Sequence, residues 1–295
     1  MRTNGPRNCI ITTFSIVAAD LATGDLGIAV ASKFLACGAV VPWASAGAGA
    51  VATQSFANTA YGLDGIRMMR DGLSARDALA KLLADDADRD LRQVGLVDAR
   101  GGAAAHTGPG CHAWAGHHVG EGFACQGNIL VGQETVDAMA AVFRASNGEL
   151  SDRLVTALAA GEKAGGDRRG KQASAVYVVR PEGGYGGMND VLVDLRVDDH
   201  PEPVTELRRL LELRDLYFGT SPASEKLKME GAVLVDLKLL MTSRGFYRGD
   251  ASGSWDEATA KALGAFTASE NFEERVDLER RTIDAPVFTH LRTRD

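Results

Sequence analysis

Apolar and polar positions alternate with a period of two near the start of the chain, then give way to a helical period, and the two patterns take turns up to about residue 218. "TTFSIVAA" and "LGIAVASKF" are rich in small and β-branched residues and flank the turn signal "DLATGD", which predicts a hairpin with strands near 12–19 and 26–33. "RQVGLVDARGGAAAHTG" predicts a second hairpin, with Gly101 and Gly102 in its turn. Between the two lies a helical region. "YGLDGIRMMRDG" ends at Gly72, and Ser74 with Asp77 opens "ARDALAKLLADD" as a capping box. The same order then repeats: "ETVDAMAAVFRASNG" and "ELSDRLVTALAAGEKAGG" predict a helix pair, and "KQASAVYVVR" and "DVLVDLRVD" predict a third hairpin. "PEPVTELRRLLELRDLYF" opens with prolines near its first turn and predicts a closing helix.

Antiparallel pairs with helix pairs inserted between them predict an α+β fold in which two stacked sheets are covered by helices. A parallel α/β fold, which places single helices between strands, ranks second. After the linker "GTSPASEKLK" the pattern changes to helix, Gly-rich turn, helix, with Val233, Leu237 and Leu240 on one face of the first helix and Ala258, Leu263 and Phe266 on the second. The expected division is an N-terminal extension over 1–11, a main domain over 12–219, and a linker with a small all-α domain over 220–295. A helical tail packed on the main domain is the plainer alternative for the last part.

Composition narrows the function classes. The net charge of −7 carries no basic block, which argues against nucleic acid as the main partner. No apolar run is long enough to span a bilayer, and the start "MRTNGPRNCIITTF" lacks the apolar stretch of a signal peptide, so a cytoplasmic protein without a membrane partner is expected. Cys9, Cys37, Cys111 and Cys125 are too sparse for a disulfide framework. Neither a metal nor another cofactor is expected, and self-association is the default for such a sandwich.

The segments "TFSIVAAD", "ASKFLACGAVVPWASAGAGAVATQS", "RQVGLVDA", "QGNILVG", "GGDRRGKQASA" and "DLRVDDHPEPV" occur in this order over residues 12–215. Together they resemble a bacterial and archaeal family of unknown function whose fold is that of the N-terminal-nucleophile (Ntn) hydrolases. "LVDLKLLMTSRGFYRGDASGSWDEATAKALGAF" is similar to a peptidoglycan-binding domain attached to some members. The resemblance implies a four-layer αββα sandwich, and it names no substrate. In Ntn hydrolases a Thr, Ser or Cys at the first residue of a strand attacks an amide carbonyl, and its own α-amine serves as base. In the simplest members the "TFS" stretch follows the initiator Met directly, so the implied nucleophile is Thr13. This chain carries eleven further residues between Met1 and Thr13. Cleavage at Ile11–Thr12 or at Thr12–Thr13, a misplaced start, or inactivity at this position all remain open; Thr12, Cys9 and Ser15 are the poorer nucleophile candidates.

Around Thr13, period-two alternation puts Ser15 on the same strand face, where it would orient the site. Ser32 and Lys33 end the partner strand beside it, and a lysine there would lower the pKa of a neighbouring amine or hydroxyl. A β-branched strand residue for Thr13 and a solvated Lys33 are the competing readings. "TGPGCHAWAGHHVGEGFACQGN", residues 107–128, holds two cysteines and three histidines but none of the paired spacings of a zinc site. It reads as a substrate loop with exposed His117 and His118, in which Gln126 and Asn128 offer amide donors to an oxyanion and His117 contacts substrate. Asp167, Arg168, Arg169 and Lys171 in "GGDRRGKQASA" suit a carboxylate or phosphate, or form an internal Asp–Arg pair at a charged turn. Asp198, Asp199 and His200 read as a cap for the following helix rather than a cation site. Two functions follow: an amide-bond hydrolase acting on a small or cell-wall-derived substrate, with Thr13, Ser32, Lys33 and Asn128 catalytic; or a non-catalytic binding protein for a small molecule or peptidoglycan fragment on the same scaffold.

Overall fold

The computed structural model describes residues 10–11, 13–252 and 254–293. A compact first unit ends at Leu211 and a second begins at Glu212. In chain order the elements of the first are β1 (Ile10–Ile11), β2 (Thr13–Asp20), β3 (Asp25–Ser32), β4 (Pro42–Ser45), β5 (Gly49–Phe56), α1 (Ala60–Arg70), α2 (Ala75–Ala84), β6 (Arg92–Asp98), β7 (Ala103–Thr107), β8 (Ala115–Gly120), β9 (Phe123–Asn128), α3 (Glu134–Ala145), α4 (Leu150–Lys163), β10 (Ala173–Val179) and β11 (Val191–Val197). Helix α5 (Pro203–Phe218) contains the boundary.

The strands form two antiparallel sheets, one ordered β11-β10-β3-β2-β9-β8 and one ordered β1-β5-β6-β7 with β4 also on β5. Alternation along each strand sorts its side chains into separate cores. Phe14, Ile16 and Ala18 of β2 pack with Leu154, Leu158, Met139 and Phe143 of α4 and α3. Val17 and Ala19, on the other face of β2, meet Ala50, Ala52 and Val97 from β5 and β6. The far face of those strands, Val51, Val94 and Leu96, packs on Ile66, Met69, Leu79 and Leu82 of α1 and α2. Each fully buried side chain of this size contributes about 1.5–3 kcal/mol relative to exposure. Helix starts follow local chemistry: Ser74 Oγ accepts the Asp77 N–H at 3.1 Å, and buried Asp98 on β6 accepts the Ala75 N–H at 2.8 Å, tying α2 to the sheet.

Three expectations need correction. "VPWASAGAGAVATQSF" supplies β4 and β5, which its Ala- and Gly-rich pattern hides; a Cβ on Gly49 would lie 2.5 Å from Met69 and from the Val97 carbonyl, so close packing there requires glycine. Residues 107–128 are mostly not a loop, since β8 and β9 form a hairpin turned at Glu121 and Gly122, with His117 on β8 and Gln126 and Asn128 on β9. Of the three residues read as a cap for α5, it is His200 that bonds just ahead of it, its Nδ1 accepting the Glu202 N–H at 3.1 Å, while Asp199 accepts from Gln172.

The second unit holds β12 (Lys226–Lys228), α6 (Gly231–Ser243), α7 (Glu257–Ser269), β13 (Val276–Asp277), β14 (Thr282–Asp284) and α8 (Ala285–Thr293). It is helical but not all-α, because β12, β14 and β13 make a three-stranded sheet whose two- and three-residue strands leave no readable period. Its core joins Leu237, Met241, Leu263, Phe266, Phe272 and Val287. Ala258 is exposed, and Ala262 takes the core position expected of it. The whole is a mixed α/β fold with eight α-helices and three sheets among the described residues, and no helix among them is long and apolar enough to cross a membrane.

Candidate functional site

The layer between the two large sheets changes character along its length. At one end it is apolar; at the other, where β2 begins and β3, β5, β7 and β9 end, the inward positions are Thr13, Ser15, Ser32, Gln54, Gln93, Thr107, Gln126 and Asn128. Burying so many polar groups without mutual hydrogen bonds would cost about 1–3 kcal/mol each. They are joined into one network. Gln126 Nε2 donates to Ser15 Oγ at 2.7 Å, and Ser15 Oγ donates to Gln54 Oε1 at 2.6 Å. Gln54 Nε2 donates to Gln93 Oε1 at 2.8 Å and to the Thr13 carbonyl at 3.2 Å. Asn128 Nδ2 reaches the same Gln93 Oε1 at 2.8 Å, and Gln93 Nε2 donates to the Gly127 carbonyl at 2.7 Å and Thr107 Oγ1 at 2.9 Å. Thr107 meets His117 Nδ1 at 2.9 Å, so the network ends at the exposed His117 on edge strand β8. The side-chain amide oxygens of Gln126 and Asn128 are buried without a partner among the described residues, and the former points at the space that Gly95 leaves open.

Thr13 is fully buried in this end of the layer. Its Cα pairs with Ser32 on β3, and its Oγ1 donates to Ser32 Oγ at 3.1 Å. On the other side β9 pairs Gly127 with Phe14, so the next step of that register sets Asn128 beside Thr13. Ser32 also borders a cavity of about 100 Å³ with Phe14, Glu162, Asp167 and Lys171. Asp167 is buried there and receives the Lys33 N–H at 3.1 Å, the Arg169 N–H at 2.9 Å and the Arg169 guanidinium at 2.7 Å. The Lys33 ammonium lies outside, on the Lys171 carbonyl at 3.2 Å, and Arg168 donates to the Ala113 carbonyl at 3.2 Å.

Two side-chain-bearing residues at this end hold left-handed backbone. Ser55, near the end of β5, has φ 66°, and Ile129, just after β9, has φ 51°. For a β-branched residue this conformation is an outlier, and such strain concentrates at functional sites. Ile129 is pinned from both sides, its N–H on the His112 carbonyl and its carbonyl on the Arg168 N–H. The His117 imidazole is held below its ordinary value, by desolvation first and by the nearby His106 and His118 second. Burial pushes the Cys125 and Cys37 thiols up, Cys37 to about 12, which suits inert core thiols. Among the described residues no group of three or more His, Cys, Asp and Glu could hold a metal ion.

Residues 13–207 match the family described as "Family of unknown function (DUF1028)". The chain belongs to that family. A crystal structure of a DUF1028 protein from Silicibacter pomeroyi is similar at 31% identity and a TM-score of 0.63, over 72% of this chain and 89% of that one. Residues 223–291 match the family described as "Putative peptidoglycan binding domain". No curated protein matches.

Within the DUF1028 region, Thr13, Ser15, Ser32, Gln126 and Asn128 come together at one end of the inter-sheet layer, with Asp167 lining the adjoining cavity and Arg169 bonded to Asp167. The amide N–H groups expected to face an oxyanion are donated to Ser15 and Gln93, and the unpartnered atoms are acceptors. Thr12 and Cys9 lie outside the described residues. Gln54, Gln93, Thr107, Ser55 and Ile129 were not anticipated. The usable signal for the first two was a polar residue at a buried-face position of an otherwise apolar strand, Gln54 two residues from Ala52 and Gln93 two from Gly95.

Proposed function

We propose that the first domain is a latent amide-bond hydrolase of the Ntn kind, on the helix–sheet–sheet–helix sandwich of that class, with Thr13 as nucleophile once the bond before it is cut. The observation that carries this is Thr13 itself: it is the first residue of β2, and its hydroxyl is 3.1 Å from Ser32 at the polar end of the layer. A cut there frees an α-amine one residue's reach from Oγ1, where it takes the hydroxyl proton as the oxygen attacks the amide carbonyl. The departing amine receives that proton, and water then releases the acyl group from Thr13.

The remaining groups divide the work. Ser32 orients the Thr13 hydroxyl, and Asn128, whose amide has a second N–H beyond the one given to Gln93, stabilises the oxyanion. Asp167 fixes the end of β3 by accepting the Lys33 N–H at 3.1 Å. Arg168, Arg169 and His117 are assigned to a polar or acidic substrate end on their chemistry. In the uncut chain β1 pairs Ile10 with Phe56 and Ile11 with Ser55 in one sheet, while Thr13 pairs with Ser32 in the other, and release of β1 opens that end. The second domain brings a peptidoglycan-type glycan as ligand, and the hydrolase acts on an amide of a cell-wall-derived fragment.

The full burial of Thr13 and the Lys33 ammonium on the Lys171 carbonyl favour a second reading, a binding protein that keeps the scaffold without turnover. Screening amide and muropeptide substrates with the protein and its Thr13→Ala variant separates the two. Turnover lost with binding retained supports the nucleophile, and turnover unchanged by the substitution removes it.

A further inference from the structure

The second domain has two grooves, of about 630 and 720 Å³, both within the range of small-ligand sites, roughly 300–1,000 Å³. They differ in what their polar groups are already doing. In the smaller, Lys238 is almost fully buried and its ammonium donates to the carbonyls of Ser254 at 2.9 Å and Asp250 at 3.4 Å, 5.4 Å from the buried Tyr247 ring. Its cation serves to hold the Asp250 and Ser254 carbonyls, beside its aromatic. The larger groove is lined by Lys228, Glu230, Leu234, Trp255, Glu279 and Arg281, of which Trp255 is half-buried and the four charged residues are exposed. None of those four takes part in an ion pair among the described residues.

The aromatic and the cation of the larger groove are positioned together. The Arg281 guanidinium lies 5.6 Å from the centroid of the Trp255 ring. Both backbones are tied down. Asp256, next to Trp255, caps α7 by accepting the Thr259 N–H at 2.7 Å, and the Arg281 carbonyl accepts the Met229 N–H at 2.9 Å. Arg281 itself holds a left-handed backbone, φ 54°. An indole offers its electron-rich plane to the C–H face of a pyranose, a guanidinium takes a carboxylate bidentately, and Glu230 and Glu279 accept from hydroxyl or amide N–H groups. A peptidoglycan strand carries these features side by side, as N-acetylated sugar rings, one in two bearing, through its lactyl group, a stem peptide with free carboxylates.

Resting on the peptidoglycan reading of this domain, we infer that the groove at Trp255 is its glycan site, with Trp255 as the stacking platform and Arg281 as the carboxylate clamp. The test uses the full-length protein in sedimentation with insoluble peptidoglycan and in calorimetric titration with a soluble disaccharide-peptide and with chitotetraose, which lacks the carboxylate. Trp255→Ala is expected to weaken both soluble ligands at least tenfold, with Trp255→Phe recovering part of the loss. Arg281→Gln is expected to weaken the disaccharide-peptide and leave chitotetraose within twofold. Lys261→Ala, in the smaller groove, serves as control and is expected to bind normally. Binding that survives Trp255→Ala and Arg281→Gln but is lost in Lys261→Ala overturns the groove assignment while the peptidoglycan reading stands. A wild-type protein that does not sediment with peptidoglycan removes that reading and the site with it. Thermal melts of each variant exclude loss by unfolding.

Discussion

The polar end of the inter-sheet layer and the Trp255 groove both gather hydrogen-bonding side chains, but they spend them differently. In the first domain Gln54, Gln93, Gln126, Asn128 and Ser15 are fully buried and bond one another, so little donor capacity is left over. In the second, Lys228, Glu230, Glu279 and Arg281 stand exposed around an open groove. Satisfied buried networks rigidify and specify a core, whereas unpaired groups on a preformed wall are available to a ligand. On the proposed reading, the contrast explains why Thr13 belongs to a closed site until the bond before it is cut, and why a ligand of the second domain would need no such processing.

The contrast can be broken most severely at Thr13. Thr13→Ala is expected to lower turnover of an amide substrate by about 10³-fold or more, as removal of a nucleophile does, while thermal melting shifts by no more than a few degrees; full activity in this variant would return the residue to a purely structural role. Next in size is Gln93→Ala, which strips the shared acceptor from Gln54 and Asn128 and the donor from the Gly127 carbonyl. Urea unfolding should show about 3 kcal/mol of lost stability, against under about 0.5 kcal/mol for Arg281→Ala in the open groove. Equal losses at the two positions would dissolve the distinction between closed and open sites.

A smaller effect is expected at Gly95, where a Cβ would stand 2.2 Å from Gln126 Oε1. Gly95→Ala should force that amide aside and cost about 1–3 kcal/mol by the same unfolding measurement, and a neutral substitution would mean that Gln126 moves freely. The least effect concerns pH. Because the folded imidazole of His117 lies below its ordinary 6.5, the unfolded chain binds that proton first as pH falls. Stability is therefore fully present above about pH 6.5 and declines as pH drops toward the folded value. His117→Gln should remove this component of the decline between pH 7 and 5 in melting curves, and a variant that keeps the wild-type slope would detach His117 from it.

Much of the first domain was legible because alternation is local. The hairpin from Thr13 to Ser32 and the Ser74 cap follow from spacing and residue type, and so does Ser32 beside Thr13. β4, β5, β8 and β9 were not, because their Ala, Gly and paired His residues carry no strong period and owe their strand state to neighbours far along the chain. The network around Gln93 depends on which faces of two different sheets meet, as in Ser15 with Gln54, 39 positions apart, and Gln93 with Asn128, 35 apart, a relation that spacing along one strand does not encode. The backbone at Ser55 and Ile129 left no mark in residue type, since neither favours a positive φ. In the second domain, the strand that precedes Arg281's partner Met229 is too short to announce itself, so the pairing of Arg281 with Trp255 needed the folded chain.

The central claim is that Thr13 becomes an amino terminus, and the most direct measurement is the intact mass of the purified full-length protein together with N-terminal sequencing of every species found. The account predicts a product that begins at Thr13 and that alone turns over amide substrates. A chain that retains the residues before Thr13 and hydrolyses such a substrate, or that remains uncut under every condition in which the protein is folded, contradicts it.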